Sequence, residues 1–294
     1  MKASIKEKYL LILGSIFLIV LLGLLVLSFT RRGVFDNNFG LNVAVVGEQG
    51  ISLLLLRPGE EMVNWIDLPS ETKIKIYNSP ASYPIASLWS YGVGERKPYE
   101  IVEKSLGQAM SVVIARTIKL DRGGQVEDVL RELLSLSAKT NLSIRDRFLI
   151  RYFLADSVKS KKMLEYSLPD NVFDKVVEPD GKEFWTFNNA MPLWSKNKFV
   201  WESLLDENAE VSINNVSSTQ GMGTILSRQL ESSGIHVVEV KADTEDPSIY
   251  PGCVYASTKE YTATEEFLKK QVGCRKVSVN SDSNGLERIR IWIK

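Results

Sequence analysis

The chain has 294 residues, in which 36 lysine and arginine residues balance 36 aspartate and glutamate residues, with one histidine and two cysteines. A net charge of zero provides no long-range field for nucleic acid, so we expect no nucleic-acid partner. One histidine and two cysteines are too few for a zinc or iron–sulfur site, and His236 alone leaves little room for a hydrolase that pairs a histidine base with a nucleophile.

The N-terminal region contains one long apolar segment. Residues 9–29 carry no charge, and a helix of that length covers about 30 Å, the thickness of a bilayer's hydrocarbon core. No small-residue cleavage pattern follows the segment, which predicts an uncleaved anchor. Three lysines precede the segment and two arginines follow it, so the positive-inside rule leans slightly toward a cytoplasmic N-terminus. We therefore expect a cytoplasmic stub over 1–8, a transmembrane helix over 9–29 and the remainder of the chain outside the cell membrane.

The next region alternates between apolar runs and turns. The pattern predicts four strands that form one meander, at 42–46, 51–56, 62–66 and 72–77. It then predicts a helix bracketed by Pro98 and Gly107, a strand over 109–118 and an amphipathic helix that begins at Val126. Ser143 is expected to cap a further helix.

The helix that follows Ser143 is expected to carry an apolar face surrounded by basic residues. Ile144, Phe148 and Tyr152 share that face by their spacing. The basic residues could bind anionic lipid, and they are Arg145, Arg147, Arg151, Lys159, Lys161 and Lys162. Because Asp146 and Asp156 are interspersed among them, we favour a solvated charged surface.

Periodicity fades over residues 167–208, where aromatic residues are concentrated. They include Trp185, Phe187, Trp194, Phe199 and Trp201. Such rings could stack on sugars, but we favour a connector whose aromatic side chains attach it to a neighbouring domain.

Residues 209–294 show a regular βαββαββ pattern. Gly221 and Gly223 lie between a strand and a helix, but Leu226 stands where a dinucleotide fingerprint needs a third glycine, so a tight turn and close helix packing explain them better. Cys253 and Cys274 lie at the same end of a predicted βα unit, which permits a disulfide; the alternative is two buried thiols. The chain is thus predicted to be an α/β protein, with the transmembrane helix, a mixed-sheet α/β domain over 40–166, the connector and this small α/β domain.

The C-terminal pattern resembles the C-terminal domain of the LytR-CpsA-Psr family. The resemblance lies in VSINNV at 211–216, in a helix that opens at Gly221 and carries Leu226 and Leu230, and in GIHVVEV at 234–240. It continues through the second helix to the end of the chain and covers about 209–294.

The N-terminal architecture is also similar to that family. LPSETK at 68–73 resembles the family's Pro-Arg-Asp-Thr segment, and YGVG at 91–94 resembles its next shared stretch. The resemblance implies a fold whose enzymes move a glycopolymer from a polyprenyl-pyrophosphate carrier onto peptidoglycan, using arginines and a metal-bound pyrophosphate.

This chain departs from the family at the positions that carry the chemistry. Ser70 stands in place of the arginine and Glu71 in place of the aspartate, and an upstream Arg-Asp-Thr segment is missing because Gly47–Gly50 is only a short turn. A serine cannot neutralise a pyrophosphate. The resemblance therefore implies a degenerate domain over 40–166, and no catalytic residue is carried over.

We expect a single-pass, envelope-facing protein with a binding or scaffolding role in cell-wall biogenesis and no transferase activity. Its partners would be the membrane and an envelope glycopolymer or another envelope protein, with no cofactor or resident metal. The alternative is an active glycopolymer phosphotransferase that uses Mg²⁺ and replaces the lost residues with Arg96, Arg116 or Arg122. A membrane-tethered regulator of transcription is disfavoured, because the chain lacks a basic recognition helix.

Overall fold

A computed structural model describes residues 13–20, 23, 33–35, 40–178, 181–217, 219–242, 252–257, 259–278 and 288–294. Residues 13–20 and 23 are helical and exposed. The rest of the predicted transmembrane segment 9–29, and the whole predicted stub 1–8, lie outside the described residues. Within the described ranges, no helix has both the length and the apolar character needed to cross a bilayer. The membrane anchor therefore stays a prediction.

Most strands of the first half of the chain form one mixed, six-stranded sheet. Its members are β1 (Leu41–Val46), β2 (Ile51–Arg57), β3 (Met62–Asp67), β6 (Arg116–Lys119), β7 (Lys139–Thr140) and β8 (Met163–Ser167). The spatial order is β7-β6-β1-β2-β3-β8. The first three strands form an antiparallel meander, whereas β6 pairs with β1 and β8 pairs with β3 in parallel. A mixed α/β architecture was predicted from the sequence, and the structure has one.

Both faces of this sheet are covered, which explains why β1 and β2 are apolar at almost every position. The helices of this region are α1 (Leu88–Gly94), α2 (Pro98–Met110), α3 (Val126–Glu132) and α4 (Ile144–Lys159). Leu53 and Leu55 point into a core that contains α2, whereas Leu54 and Leu56 point into a second core that contains α3 and α4. The side-chain alternation of one strand thus supplies both cores.

Two sequence predictions for this region are wrong in part. Only Lys73–Lys75 of the predicted fourth strand is extended (β4), and it pairs with β5 (Ser82–Pro84) in a separate two-stranded sheet. The predicted strand over 109–118 begins only at Arg116, because α2 continues to Met110. Gly107 does not end the helix. It is buried inside it, where a Cβ would come within 2.8 Å of the carbonyl oxygen of Val112.

The predicted connector contains regular structure. It holds the hairpin β9 (Phe173–Val177) and β10 (Glu183–Phe187), followed by α5 (Met191–Lys198) and α6 (Glu202–Glu207). Phe199 is fully buried in the core beneath α2. Trp201 is buried in the core of the C-terminal sheet. Phe199 and Trp201 therefore pack against the two neighbouring cores, whereas Trp185 is half-exposed.

The C-terminal region forms a second mixed sheet with two helices. Its strands are β11 (Glu210–Asn215), β12 (His236–Ala242), β13 (Cys253–Ser257), β14 (Arg275–Lys276) and β15 (Ile289–Ile293). Their order is β12-β11-β15-β13-β14. The helices are α7 (Met222–Ser232) and α8 (Thr262–Phe267), and the latter continues as a π-helical turn over Leu268–Val272.

Two features of this region bear on the sequence motifs. Gly223 packs against β12, where a Cβ would meet the Cγ1 atom of Val240 at 2.8 Å, so this glycine serves close helix–strand packing. Cys253 and Cys274 are joined by a disulfide, with Cα atoms 4.5 Å apart, which links the start of β13 to the turn after the π-helical segment.

A buried arginine joins the two sheets. The guanidinium of Arg57 donates to the side chain of Asn42 at 2.9 Å and lies 4.4 Å from the ring centre of Trp201. Burial lowers the pKa of Arg57 to about 10. Nearby, the side-chain amide of Gln271 donates to the carbonyl of Gly40 at 3.0 Å. These contacts attach the C-terminal sheet to the edge where β1 begins.

Candidate functional site

Ser70, the degenerate motif position, lies in the loop that follows β3. Its carbonyl accepts a hydrogen bond from the backbone N–H of Ala86 at 3.2 Å. Its side chain lies beside Gly50, in the tight turn that joins β1 to β2 and is closed by a hydrogen bond from Gly47 N–H to Gly50 O at 2.9 Å. Ser70 lines two separate clefts, and Glu71 lines only the second.

The larger cleft, called here the acidic cleft, has a volume of about 560 Å³. Three loops form it, and its lining residues are Gly47–Ser52, Asp67, Leu68, Ser70, Gly123–Gln125 and Asp128. The charged members of this set are Glu48, Asp67 and Asp128, and the set contains no lysine or arginine. The position that resembles a pyrophosphate-binding segment therefore faces carboxylates.

The three carboxylates differ in how many hydrogen bonds they already accept from the protein. Asp128 accepts from the backbone N–H groups of Gly124 and Gln125 and pairs with Arg131 at 3.3 Å, so it caps α3. In Asp67, Oδ1 accepts from Ser52 and from the Trp65 ring, each at 2.7 Å. Oδ2 of Asp67 and the exposed carboxylate of Glu48 accept no hydrogen bond from the described residues, and both residues line the cleft.

The loop before α3 needs a glycine at Gly123, which has a φ of +72°. A Cβ at this position would lie 2.1 Å from Oδ2 of Asp128. The same loop is joined to the β1–β2 turn, because the N–H of Glu48 donates to the carbonyl of Gly123 at 3.0 Å. The carboxylate of Asp128 and the turn that carries Glu48 are thereby held on one side of the cleft.

One lysine contacts the backbone of the cleft. Nζ of Lys119, at the end of β6, donates to the carbonyl of Gly47 at 3.1 Å. Burial lowers the pKa of Lys119, and the neighbouring Lys139 lowers it further. The lysine supports the turn and is not among the residues that line the acidic cleft.

The second cleft, called here the hairpin cleft, lies on the other side of Ser70 and has a volume of about 290 Å³. Its lining residues are Ser70, Glu71, Lys73, Pro84, Ala86, Glu178, Lys182, Glu183 and Phe184. Lys73 forms an ion pair with Glu178, and its Nζ lies 4.3 Å from the ring centre of Phe184. Its charged residues are three glutamates and two lysines, so this cleft also carries more negative than positive charge.

The predicted replacement arginines do not line either cleft. Arg96 is exposed in the loop after α1, with a φ of +59°. Arg122 is exposed in the loop that precedes Gly123. Arg116 begins β6, where its charge acts on Glu103 of α2. Neither cleft therefore contains the convergence of two of these arginines with Glu71 that would favour the phosphotransferase alternative.

Sequence reasoning did not identify Glu103 as an unusual group. Burial raises its pKa to about 7, although it accepts from Asn141 Nδ2 at 2.8 Å and from Thr117 Oγ1 at 3.0 Å and lies near Arg116. The carboxyl is on α2, and its two hydrogen-bond donors lie on β6 and immediately after β7. No sequence spacing brings these three residues together, so only the fold identifies the group.

A metal-bound pyrophosphate fits poorly in the acidic cleft. Asp128 is committed to capping α3, and one oxygen of Asp67 is committed to two donors. Across the part of the chain that the structure describes, no group of three histidine, cysteine, aspartate or glutamate side chains is placed to hold a metal ion. The remaining acceptors suit hydroxyl or ammonium donors better than they suit a bare anion.

Comparisons with known proteins give only distant structural likenesses. No family profile and no curated protein sequence matches the chain. Among solved structures, Bacillus subtilis TagT has a TM-score of 0.38 at 11% identity, over 55% of this chain and 89% of TagT. TagT bound to LI-WTA has a TM-score of 0.41 at 10% identity, over 56% and 90%. The LytR-CPS2A-psr family protein YwtF (TagT) with bound octaprenyl pyrophosphate lipid has a TM-score of 0.38 at 13% identity, over 56% and 90%. Likenesses with TM-scores this low carry no argument about the chemistry of this chain, which rests on its own residues.

Proposed function

We propose that this chain is a membrane-anchored, envelope-facing binding protein of the LytR-CpsA-Psr type that lacks transferase activity. In this proposal residues 9–29 cross the cell membrane, the N-terminus is cytoplasmic and the remaining chain is extracytoplasmic. The degenerate domain over 40–166 would hold a neutral, hydroxyl-rich part of an envelope glycan in its acidic cleft. Residues 209–294 would be the family's C-terminal domain, fixed to the first sheet by Arg57 and Gln271.

The observation that carries the proposal is the charge of the acidic cleft. A pyrophosphate placed there would meet Glu48, Asp67 and Asp128 without a lysine or arginine among the lining residues. Two like charges about 4 Å apart repel by roughly 4 kcal/mol at an effective dielectric constant of 20. Transfer from a pyrophosphate carrier needs the opposite arrangement, in which cations neutralise the charge that develops on the phosphates.

The same side chains suit a neutral glycan. Sugar hydroxyls donate hydrogen bonds, and the acceptors free to receive them are Oδ2 of Asp67 and the carboxylate of Glu48. The hydroxyl of Ser70 lies between the two clefts and can both donate and accept. A glycan chain longer than one sugar could therefore continue past Ser70 into the hairpin cleft.

The Cys253–Cys274 disulfide is consistent with the proposed location. Disulfides persist in oxidising compartments outside the cytoplasm and are rare inside it. An N-terminus in the cytoplasm followed by one membrane span would put this bond in such a compartment.

Binding of two probes by the full-length protein in nanodiscs tests the proposal. The neutral probe is a chitooligosaccharide, and the anionic probe is a polyprenyl pyrophosphate with Mg²⁺. We expect the neutral probe to bind more tightly. We expect the Asp67→Asn and Glu48→Gln double variant to bind it about tenfold more weakly, because each amide keeps an acceptor oxygen and loses only the contribution of the charge, about 0.7 kcal/mol per hydrogen bond.

Asp206→Asn is the matched control, because Asp206 is an exposed aspartate on α6, away from both clefts. This variant should bind both probes as the wild type does. Tighter binding of the pyrophosphate probe than of the neutral probe by the wild-type protein would contradict the proposed ligand class. Equal binding of the neutral probe by the double variant and the control would remove the acidic cleft from the account.

A further inference from the structure

Helix α4 exposes apolar side chains along its outer side. Ile144, Phe148 and Tyr152 follow one another at four-residue spacing and are 43%, 51% and 78% exposed. The opposite side of the helix, with Ile150 and Leu154, is buried in the core beneath the first sheet. An apolar residue on every turn of the exposed side is unusual for a helix that faces only water.

The turn after α3 extends this surface. Leu134 and Leu136 are both exposed there, and Leu136 makes almost no contact with the rest of the protein. Arg147 of α4 fixes the turn beside the helix, because its guanidinium donates to the carbonyls of Leu133 and Ser135. These five exposed side chains, Leu134, Leu136, Ile144, Phe148 and Tyr152, are called here the apolar face.

The charges around the apolar face are mainly positive. Arg145 and Arg151 lie along its borders by their helical positions, and Lys159 lies in the last turn. The sequence suggested that Asp146 would offset these charges, but Asp146 points inward and is only 1% exposed. Asp156 is the exposed carboxylate that remains on the helix. The structure thus removes one of the two reasons to regard this side of α4 as an ordinary solvated surface.

The path of the chain brings α4 close to the predicted membrane span. The N–H groups of Val34 and Phe35 donate to the carboxylate of Asp146, in the first turn of α4, at 3.2 and 3.1 Å. The ring centre of Phe35 lies 5.9 Å from that of Phe153. The predicted span ends at Phe29, four residues before Gly33, and four extended residues reach at most about 14 Å. A bilayer that holds the span therefore lies within that reach of the start of α4.

We propose that the apolar face lies in the headgroup region of the anionic bilayer that holds residues 9–29. Aromatic and aliphatic side chains flanked by arginine and lysine are what a helix at a lipid interface requires, with the rings at the headgroup level and the cations near anionic lipid. The proposal rests on the membrane anchor of the proposed function. It makes the anchored protein lie against the membrane at a fixed orientation.

Depth-dependent quenching in nanodiscs tests this contact. A fluorophore is attached to Tyr152→Cys in the full-length protein and quenched by lipids that carry a nitroxide on the acyl chain. Both native cysteines are disulfide-bonded, so they do not compete for the label. The matched control is Leu193→Cys on α5, which is 65% exposed and belongs to the helix that packs over the opposite face of the first sheet.

The expected result is quenching at position 152 several-fold stronger than at 193, in nanodiscs of phosphatidylcholine with phosphatidylglycerol. Adding Arg145→Gln and Lys159→Gln, or removing phosphatidylglycerol, should reduce the difference. Equal quenching at 152 and 193 in protein that co-elutes with nanodiscs would overturn this contact and leave the anchor intact. Failure to co-elute would overturn the anchor and this inference with it. Shielding at 152 that depends on protein concentration in detergent would assign the face to a second copy of the chain and overturn the lipid contact.

Discussion

Breaking the Cys253–Cys274 disulfide should loosen the C-terminal sheet and leave the first sheet unchanged. The bond closes a loop with a sequence separation of 21 residues. In the chain-entropy model, opening a loop of that length lowers the free energy of unfolding by about 3 kcal/mol at 25 °C. Cys274 is buried in the core of the C-terminal sheet. Its replacement by alanine removes only the sulfur atom, so the cavity left behind adds little to the loss.

Hydrogen exchange of the full-length protein measures this effect locally. If β13 and β15 exchange by opening of the C-terminal sheet, about 3 kcal/mol corresponds to roughly 100-fold faster exchange of their amides. We expect this acceleration in the Cys253→Ala and Cys274→Ala double variant, and an equal acceleration in reduced wild type. Peptides from β1 are the internal control and should exchange at the wild-type rate.

Two results would refute this reasoning. Unchanged exchange in β13 and β15 would mean that the closed loop does not limit opening of the C-terminal sheet. Equal acceleration in β1 would mean that the two sheets open as one unit. The contacts of Arg57 and Gln271 would then couple the opening of one sheet to that of the other.

Three further predictions concern stability and are measured by denaturation of the full-length protein in detergent. Burial raises the pKa of Glu103 from 4.5 to about 7, so the protonated carboxyl stabilises the fold below pH 4.5. Up to about 3 kcal/mol of that stability is lost as the pH rises through 7. Glu103→Gln should remove this dependence of the unfolding free energy on pH, and an unchanged dependence would contradict the role of Glu103. Asp146→Ala should lower the free energy of unfolding by about 3 kcal/mol, because two backbone N–H groups and the Ser143 hydroxyl lose their acceptor. Asp146→Asn should lower it less. Equal losses in the two variants would show that the charge of the carboxylate does not strengthen these hydrogen bonds. Arg57→Met should cost about 2 kcal/mol by leaving the acceptors on Asn42 and Leu56 unpaired, whereas a more stable variant would show that desolvation of the cation outweighs its contacts.

The sequence predicted the first sheet well where the signal was local. Apolar runs separated by glycine-containing turns located β1, β2 and β3 to within about a residue. The signal is strongest in β1 and β2, because strands buried on both faces are apolar at almost every position. The alternation at 72–77 was equally clear, yet only three of its residues are in a strand and their partner is β5. Alternation reports that a segment has two different faces, and it does not identify the strand beside it.

Glycine also illustrates what sequence leaves open. Gly107 was expected just beyond a helix, but it lies inside α2. A glycine is needed there because the carbonyl oxygen of Val112 comes too close for a side chain. Gly234 follows α7, and its φ is +101°. A glycine is needed both where φ is positive and where neighbours crowd the Cα atom, and one sequence does not distinguish the two reasons.

The acidic cleft could be predicted only in part. The departure at Ser70 was visible as a missing arginine, and the resemblance to a family motif indicated where to look. The carboxylates that take its place come from the β1–β2 turn, the end of β3 and the first turn of α3. Their separation along the chain hides their proximity, and so the charge of the site became visible only in the fold.

Turnover is the most direct test of the claim that this chain binds and does not transfer. The full-length protein is incubated with a polyprenyl-pyrophosphate-linked glycopolymer, Mg²⁺ and peptidoglycan, and transfer of polymer to the peptidoglycan is measured. We predict no transfer above that of a protein-free control. Transfer that is abolished by substituting Arg96, Arg116 or Arg122 would contradict the account and establish a phosphotransferase.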